Sequence, residues 1–512
     1  MTNKIMQNNS LYNINQNKVL QDKLSTQMST QKKLTRPSDD PVVAIRALRL
    51  RSSVSEITQY EGKNAPDANS WLKVTSDGLG TVTEILTSMN TNANKAANKD
   101  LTYDELEIIT TQLRSLTEEF YATGNLDYAG RFVFTGYRTN TPMSFTQADV
   151  SDTLNPIPSY SITQQLKASD VDTINYTVQG HIKGANKNNY NDGTHNGLET
   201  EVSNRDLHRL RLAYDDITYP QTTKLNIMKA DGKTVDTSYV LNAVSLKSTN
   251  MDDAYLTPAA EATLIVETGE IILSDDLYDE IKAKDTEVRI EYEKSEWKNG
   301  DLRPEHYFAC YQKIVPADIG FNRDYLNDFY ENKERQTIAY DVGYNQTIEV
   351  NTTADEVFTH DLKRDITDLE KVLNDLNEIN ATKTDLEDIL KYTEESDPNY
   401  RDIQLKVNAA NKVYDYIRDN IHGIMEKMIT KTQNYLDATN VAITDNGTRS
   451  SRLDLITKRL TEQKTTFRTL QSENEDVDIA EVAIELTSAE LTYSSSLMGT
   501  GKIMQTTLMN YI

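Results

Sequence analysis

The fold of this chain is decided by a stretch towards its C-terminal end, residues 453–474, LDLITKRLTEQKTTFRTLQSEN. One set of positions recurs there in alternating steps of three and four residues: Leu453, Ile456, Leu460, Gln463, Phe467, Leu470, Asn474 and Val477. This is the a/d spacing of a heptad repeat, which is typical of a coiled coil. The sequence therefore predicts a long helix that packs against other helices.

The seam continues beyond Val477 with a change of phase. The next step, to Ala480, is three residues where four are due, and such a stammer predicts local overwinding within one continuous helix. The later seam positions share the new phase: Ile484, Thr487, Leu491, Ser494 and Met498. We place Leu508 on the same assembly seam.

A weaker seam runs along the N-terminal end. Ile5, Tyr12 and Val19 lie seven residues apart, and Leu24 follows them in a segment crowded with asparagine. Asparagine is a middling helix former, so this helix is not expected to be stable alone. It is expected to order on a partner helix, from the C-terminal seam or from neighbouring subunits. An ordinary antiparallel bundle inside one monomer is the alternative.

Between the two seams the pattern changes from helical to strand-like and back. Short runs rich in β-branched residues, separated by turn signals, predict strands: 173–178, 225–228, 263–266, 270–273 and 288–292. The predicted fold class is mainly α with a β-rich insert, and long terminal helices form a coiled-coil stem. The predicted domains are a terminal coiled-coil core (1–34 with 471–512), a helical bundle (35–145 with 354–470) and a β-rich, surface-exposed insert (146–353).

Composition excludes several classes of function. The net charge of −25 argues against nucleic acid and anionic membranes as partners, because both are bound by clustered lysine and arginine. Apolar runs are too short to span a membrane, and the first residues lack the apolar core of a secretory signal. The single cysteine, Cys310, excludes an internal disulfide framework.

No pattern of catalytic, metal-binding or cofactor-binding residues stands out. His306 and Cys310 have a spacing that suits zinc, but two ligands do not make a site. The GTGK run at 499–502 lacks the first glycine and the hydroxyl residue of a phosphate loop. The sequence therefore predicts neither an enzyme nor a cofactor.

An arginine-rich helix follows residues Asp39-Asp40-Pro41. Asp40 is expected to cap this helix, with Pro41 at its first position. Arg46, Arg49 and Arg51 can bridge to acidic faces of neighbouring subunits or form a simple exposed basic face. Both interpretations stay open.

Four stretches together resemble the flagellin superfamily and, within it, flagellar hook-associated proteins of the FlgL type. They are 35–52 (TRPSDDPVVAIRALRLRS), 130–139 (GRFVFTGYRT), 355–358 (DEVF) and the C-terminal coil 480–512. The resemblance covers roughly the first 145 and last 160 residues, and the centre resembles no family.

The resemblance implies a structural protein of the bacterial flagellum rather than an enzyme. It implies a ring of identical subunits at the junction between hook and filament, in contact with a FlgK-type junction protein and with flagellin. It also implies an extracellular location, reached unfolded through the flagellar export apparatus with an export chaperone and without a cleaved signal. In this family the terminal helices are disordered in the monomer and fold into the tubular core on assembly.

Three alternatives remain at this point. Flagellin itself is the first, although Pro41 and the arginine-rich helix favour the hook-associated type. A binding or enzymatic module in the insert is the second, and an intracellular coiled-coil scaffold is the third. If the chain belongs to this family, the terminal seams bind neighbouring subunits and do not form the core of the monomer.

Overall fold

The computed structural model describes residues 3–98, 101–154, 156–193, 195, 199–256, 262–313, 322–324 and 336–505. Its α-helices are α1 (Asn3–Thr30), α2 (Pro41–Gln59), α3 (Ala65–Ala96), α4 (Tyr103–Thr123), α5 (Gln147–Ser151), α6 (Met251–Leu256), α7 (Asp275–Lys284), α8 (Asp361–Tyr392), α9 (Tyr400–Glu475) and α10 (Ile479–Gln505). The predicted fold class, mainly helical with long terminal helices and a central β-rich region, is confirmed.

The strands lie mostly in the centre of the chain. They are β1 (Asp127–Tyr128), β2 (Arg131–Phe132), β3 (Ser159–Leu166), β4 (Asp172–Val178), β5 (Ser203–Arg211), β6 (Lys224–Met228), β7 (Val235–Val240), β8 (Asn242–Val244), β9 (Ala262–Ile265), β10 (Glu270–Leu273), β11 (Val288–Lys294), β12 (Ala309–Lys313), β13 (Asn322–Asp324), β14 (Ala339–Gly343) and β15 (Gln346–Glu349). All five strands expected from the sequence are present, as β4, β6, β9, β10 and β11.

Residue contacts divide the chain into two units. The first unit holds residues 1–69, 340–348 and 451–512, and the second holds 70–339 and 349–450. The three-part domain boundaries expected from composition stay a prediction.

The helix predicted to run without a break through Val477 is interrupted, so the stammer is wrong. Helix α9 ends at Glu475 and α10 begins at Ile479. The Asp478 side chain accepts hydrogen bonds from the backbone N–H of Ala480 (2.9 Å) and of Glu481 (3.3 Å). Aspartate favours helix N-termini over helix interiors, so this residue starts a new helix where the heptad pattern suggested overwinding.

The start of α2 follows the prediction. The Asp40 carboxylate accepts hydrogen bonds from the N–H groups of Val42 (3.0 Å) and Val43 (3.2 Å), and Pro41 is the first helical residue. Proline fits there because its missing N–H has no partner in the first turn of a helix.

One apolar core of the second unit lies between two sheets. One has the strand order β4-β5-β10-β9-β8 and the other β13-β12-β3-β11-β6-β7, and each ladder pairs antiparallel except β8 with β9. Strand β3 alternates half-buried and buried residues, as a strand with one face on a core should. The shared apolar cluster includes Ile162, Leu210, Leu264, Ile271 and Ile290.

A buried ion network joins α8 to the first of these sheets. Arg209 on β5 pairs with Glu270 on β10 and, at 2.9 Å, with Asp368 on α8. Arg211, two residues along on the same face of β5, pairs with Asp365 at 2.7 Å. Because these groups are largely removed from water, each depends on its partners to stay charged.

The stability of the second unit should fall between pH 6.5 and pH 5 partly through His306. Burial lowers the pKa of this imidazole to about 3, against the opposing hydrogen bond to the Pro142 carbonyl at 3.1 Å. In this range the unfolded chain binds a proton that the folded chain excludes, so acidification favours unfolding by about 1.4 kcal/mol per pH unit. Urea unfolding at both pH values should show a weaker pH dependence in His306→Gln. The variant of exposed His181, His181→Gln, is the control, and equal slopes in both variants would contradict the assignment.

Candidate assembly surface

Helices α1 and α10 pack side by side and antiparallel within the first unit. Asn17 donates a hydrogen bond to the Ser496 hydroxyl at 3.5 Å, and Leu24 packs against Val482 and Ala489. The backbone N–H of Lys33 donates to the Glu475 carbonyl at 2.7 Å. The predicted pairing of the two terminal seam helices therefore exists within one chain.

The face that joins these two helices is mostly polar. On α1 the covered positions are Gln7, Ser10, Ile14, Asn17, Gln21 and Leu24. On α10 they are Val482, Leu486, Ala489, Tyr493, Ser496 and Thr500. Both sets alternate steps of three and four, so each is a heptad seam. The buried apolar cluster between the two helices is small: it contains Leu24, Val482 and Ala489, with Val477 and Leu486 packed beside it.

The seam predicted from the apolar pattern lies on the opposite side of each helix. At about 100° per residue, the set Ile5, Tyr12 and Val19 is roughly 170° from the covered face of α1. The set Ile484, Leu491 and Met498 is roughly 180° from the covered face of α10. These six side chains have between 50% and 71% of their surface exposed. The structure thus separates two faces that one heptad pattern had merged.

The remaining predicted seam residues divide between the two environments. Leu24 is buried and Val477 half-buried, and both belong to the contact within the chain. Leu470 on α9 is exposed, while its neighbour Gln471 is half-buried. Leu508 lies outside the described residues.

Exposed apolar side chains on this scale are typical of interaction surfaces, so the assembly surface stays a prediction here. Burying a Val, Leu, Ile or Met side chain contributes about 1.5–3 kcal/mol. Covering both exposed sets with another chain would therefore strongly favour association. Leu20, also part of the predicted N-terminal seam, is exposed as well. Leu11 and Leu497 are exposed too and widen the two sets, but the heptad spacing did not predict them because they fall beside the heptad positions. We call Ile5, Tyr12 and Val19 the α1 stripe, and Ile484, Leu491 and Met498 the α10 stripe.

The arginine-rich helix α2 splits in the same way. Arg51 makes two hydrogen bonds to Glu475, from Nε at 2.8 Å and from Nη2 at 2.5 Å. The hydrogen bond and charge of Arg51 lower the pKa of the Glu475 carboxyl. Arg51 therefore has a partner within its own chain, and contacts of the three arginines with neighbouring subunits stay a prediction.

Arg46 and Arg49 are exposed and make no ion pair with the described residues. The side chains of Val42, Ile45 and Leu48 are exposed on the same helix. Helix α2 therefore presents apolar and cationic groups together, which is the composition of a protein-binding surface.

The residues considered for chemistry do not form a reactive site. His306 and Cys310 are buried in the second unit, and His306 bonds the Pro142 carbonyl. Burial raises the pKa of the Cys310 thiol, which disfavours the reactive thiolate. Among the described residues there is no group of three or more His, Cys, Asp and Glu side chains placed to hold a metal ion. Nor does any described helix have the length and apolarity needed to cross a membrane.

The N-terminal segment, which contains α1 to α4, is similar to known proteins. Residues 1–139 match the family model described as the bacterial flagellin N-terminal helical region. The segment is therefore similar to this region of the flagellins. The resemblance to flagellar hook-associated proteins predicted from the sequence is confirmed.

Two curated relatives carry the name flagellar hook-associated protein 3. The one from Salmonella typhimurium is 30% identical over 118 residues, which is 23% of this chain and 37% of the relative. The one from Escherichia coli K12 is 29% identical over 120 residues, 23% of this chain and 38% of the relative. The match thus spans a little over a third of these relatives. A solved flagellar hook-associated protein-3 from Legionella pneumophila is 10% identical with a TM-score of 0.29, covering 83% of this chain and 97% of that one.

Proposed function

We propose that this chain is a structural subunit of the bacterial flagellum that forms the junction ring between hook and filament. The observation that carries the proposal is the pair of exposed apolar stripes on paired helices α1 and α10. A flagellin-type N-terminal region next to these stripes supports a flagellar setting for them. The proposed role is structural.

The stripes suggest how identical copies meet. They lie on opposite sides of the antiparallel pair, so the α1 stripe of one copy can pack against the α10 stripe of the next. Such a head-to-tail contact uses two different surfaces and closes into a ring when the rotation between copies allows it. Isolated α1–α10 pairs, held by a small apolar cluster and polar side chains, would gain most of their order on assembly.

The further partners follow from the same proposal. Flagellin would lie on one side of the ring and a FlgK-type junction protein on the other. The subunit would leave the cell unfolded through the flagellar export apparatus, with an export chaperone, and would act outside the cell.

Deleting the gene tests the role of the protein. Hooks without filaments, together with flagellin in the medium, are the expected result, to be scored by electron microscopy and by immunoblot of the medium. Loss of filaments without flagellin in the medium would instead identify the major flagellin. Normal filaments in a strain with no second copy of the gene would contradict a flagellar role.

Reversing the charge of Arg49 should impair assembly without affecting the monomer. Arg49 is exposed and makes no ion pair with the described residues, so Arg49→Glu should leave the free energy of unfolding within about 0.5 kcal/mol. If α2 binds an acidic surface of a neighbour, the variant should be incorporated into flagella several-fold less well. Arg452→Glu, at another exposed site of the first unit, is the matched control. Equal incorporation of both variants would remove α2 from the interface.

A further inference from the structure

The second unit contains a cavity that the structural role does not use. Its volume is about 540 Å³, within the range of small-molecule pockets. Strands β4, β5 and β10 form one side, helices α6, α8 and α9 form most of the rest, and Gln179 and Lys183 line it from the segment that follows β4. Every residue that lines it belongs to the second unit.

The basic side chains of one wall are already neutralised by acidic partners. Arg209 pairs with Glu270 and Asp368, and Lys427 pairs with Asp172 at 3.0 Å. Lys431 pairs with Asp365 at 2.8 Å. An anionic ligand would have to break these pairs, so this wall does not favour an anion.

The other wall combines an aromatic stack with an unpaired carboxylate. The rings of Tyr176 and Tyr255 are stacked, with centroids 4.7 Å apart and planes 12° from parallel. The Tyr176 hydroxyl donates to Asp252 at 2.6 Å, whereas Asp375 has no hydrogen bond or ion pair with the described residues. Burial raises the pKa of Asp375, an effect only partly offset by the charges of Lys183 and Lys371. A half-buried carboxylate without a partner is costly, and a ligand cation would remove that cost.

We propose that this cavity binds a small organic cation with an apolar body. The ammonium would lie between Asp375 and Asp252. The charges of these two carboxylates both raise the pKa of the Tyr176 hydroxyl. The apolar body would pack against the tyrosine ring and the half-buried side chains of Ile174 and Ile424. Aromatic faces attract cations most strongly where water is excluded, so the Tyr176 ring adds to recognition of the charge.

Because recognition depends on charge, the cavity should bind small organic cations more tightly than neutral ligands of the same shape. A sugar or a phenol would use the tyrosine surface but would leave the Asp375 carboxylate unpaired. The charges of Lys183 and Lys371 both act on Asp375. Lys183 is the exposed one of the two, so removing its charge should strengthen binding. The proposal is independent of the junction role, because no residue of the α1 and α10 stripes lines the cavity.

Calorimetric titration of the purified full chain with tyramine tests the proposal, with 4-ethylphenol as the analogue that lacks the ammonium. We expect saturable one-to-one binding of tyramine and at least tenfold weaker binding of 4-ethylphenol. Asp375→Asn should weaken tyramine binding at least tenfold without lowering the melting temperature, because it removes an unpaired buried charge. Lys183→Gln should strengthen it.

The control is Glu387→Gln, which removes one exposed carboxylate from the same helix, α8, outside the cavity. It should bind tyramine like the unmodified chain. Three results would overturn the proposal: no saturable tyramine binding at millimolar concentration, equal affinity for 4-ethylphenol, or unchanged affinity in a folded Asp375→Asn variant.

Discussion

Leu491→Asp should abolish incorporation of this chain into flagella while leaving the free monomer folded. Leu491 is largely exposed and faces away from α1, so the change should alter the free energy of unfolding by no more than about 0.5 kcal/mol. In the assembled ring the same side chain would be enclosed by a neighbouring helix, where an unpaired carboxylate costs several kcal/mol. Motility and the amount of the protein in purified flagella measure the effect, and thermal unfolding measures the monomer. Leu470→Asp on α9 is expected to behave in the same way.

Two further variants show whether the effect belongs to the stripe. Thr492→Asp introduces the same charge one residue away, at an exposed position about 100° around α10, and should be incorporated normally. Leu24→Asp introduces it into the contact between α1 and α10 and should increase hydrogen exchange of both helices in the monomer. If Leu491→Asp raised hydrogen exchange as much as Leu24→Asp does, Leu491 would belong to the monomer core and the assembly surface would be elsewhere.

Arg209→Ala should destabilise the second unit by about 3–5 kcal/mol, because it leaves buried Glu270 without its cation. Although burial opposes ionisation, Arg209 and then Lys371 lower the pKa of the Glu270 carboxyl to about 2. Glu270 therefore stabilises the fold above the unfolded pKa of about 4.3, and this contribution is lost as the pH falls towards 2. Urea unfolding at pH 7, followed by the fluorescence of Trp71 and Trp297, which are both buried in the second unit, measures the change.

The control for this experiment lies on the same strand. Arg205 on β5 is exposed, so Arg205→Ala should change the free energy of unfolding by less than about 1 kcal/mol. A similarly small change in Arg209→Ala would mean that Glu270 is hydrated or protonated in the folded chain. In that case the network would not hold α8 on the sheet.

Local signals in the sequence predicted much of the fold. The heptad spacing that begins at Leu453 marks a real helix, in which Leu453, Ile456 and Leu460 are buried. Asp40 and Pro41 predicted the start of α2, because capping depends on a few adjacent residues. The predicted stammer is wrong for a reason that is also local. Asp478 starts a helix more readily than it continues one.

The surface that covers each seam could not be predicted in the same way. A periodic apolar pattern shows which side chains share a helix face but not whether that face meets its own chain or another. On α10 the contact within the chain includes Val482 and Leu486, but further along it uses Ala489, Ser496 and Thr500, whose small or polar side chains carry little hydrophobic signal. The stronger apolar pattern, with Ile484 and Leu491, belongs to the exposed side.

The cavity was beyond sequence reasoning for a different reason. Tyr176, Tyr255 and Asp375 come from β4, α6 and α8, and only the packing of both helices near the five-stranded sheet brings them to one cavity. None has a motif, and each alone is an ordinary residue. The same holds for Arg209 and Asp368, whose pairing depends on that packing.

Crosslinking in intact flagella tests most directly whether the α1 stripe of one copy meets the α10 stripe of the next. Val19→Cys and Leu491→Cys place one thiol on each stripe, and the native Cys310 is buried, so background reaction should be low. With a short bis-maleimide, the doubly substituted chain should give a ladder of dimers, trimers and larger species from purified flagella, while each single variant should stay monomeric. A doubly substituted chain that enters flagella yet yields only monomer would contradict the account.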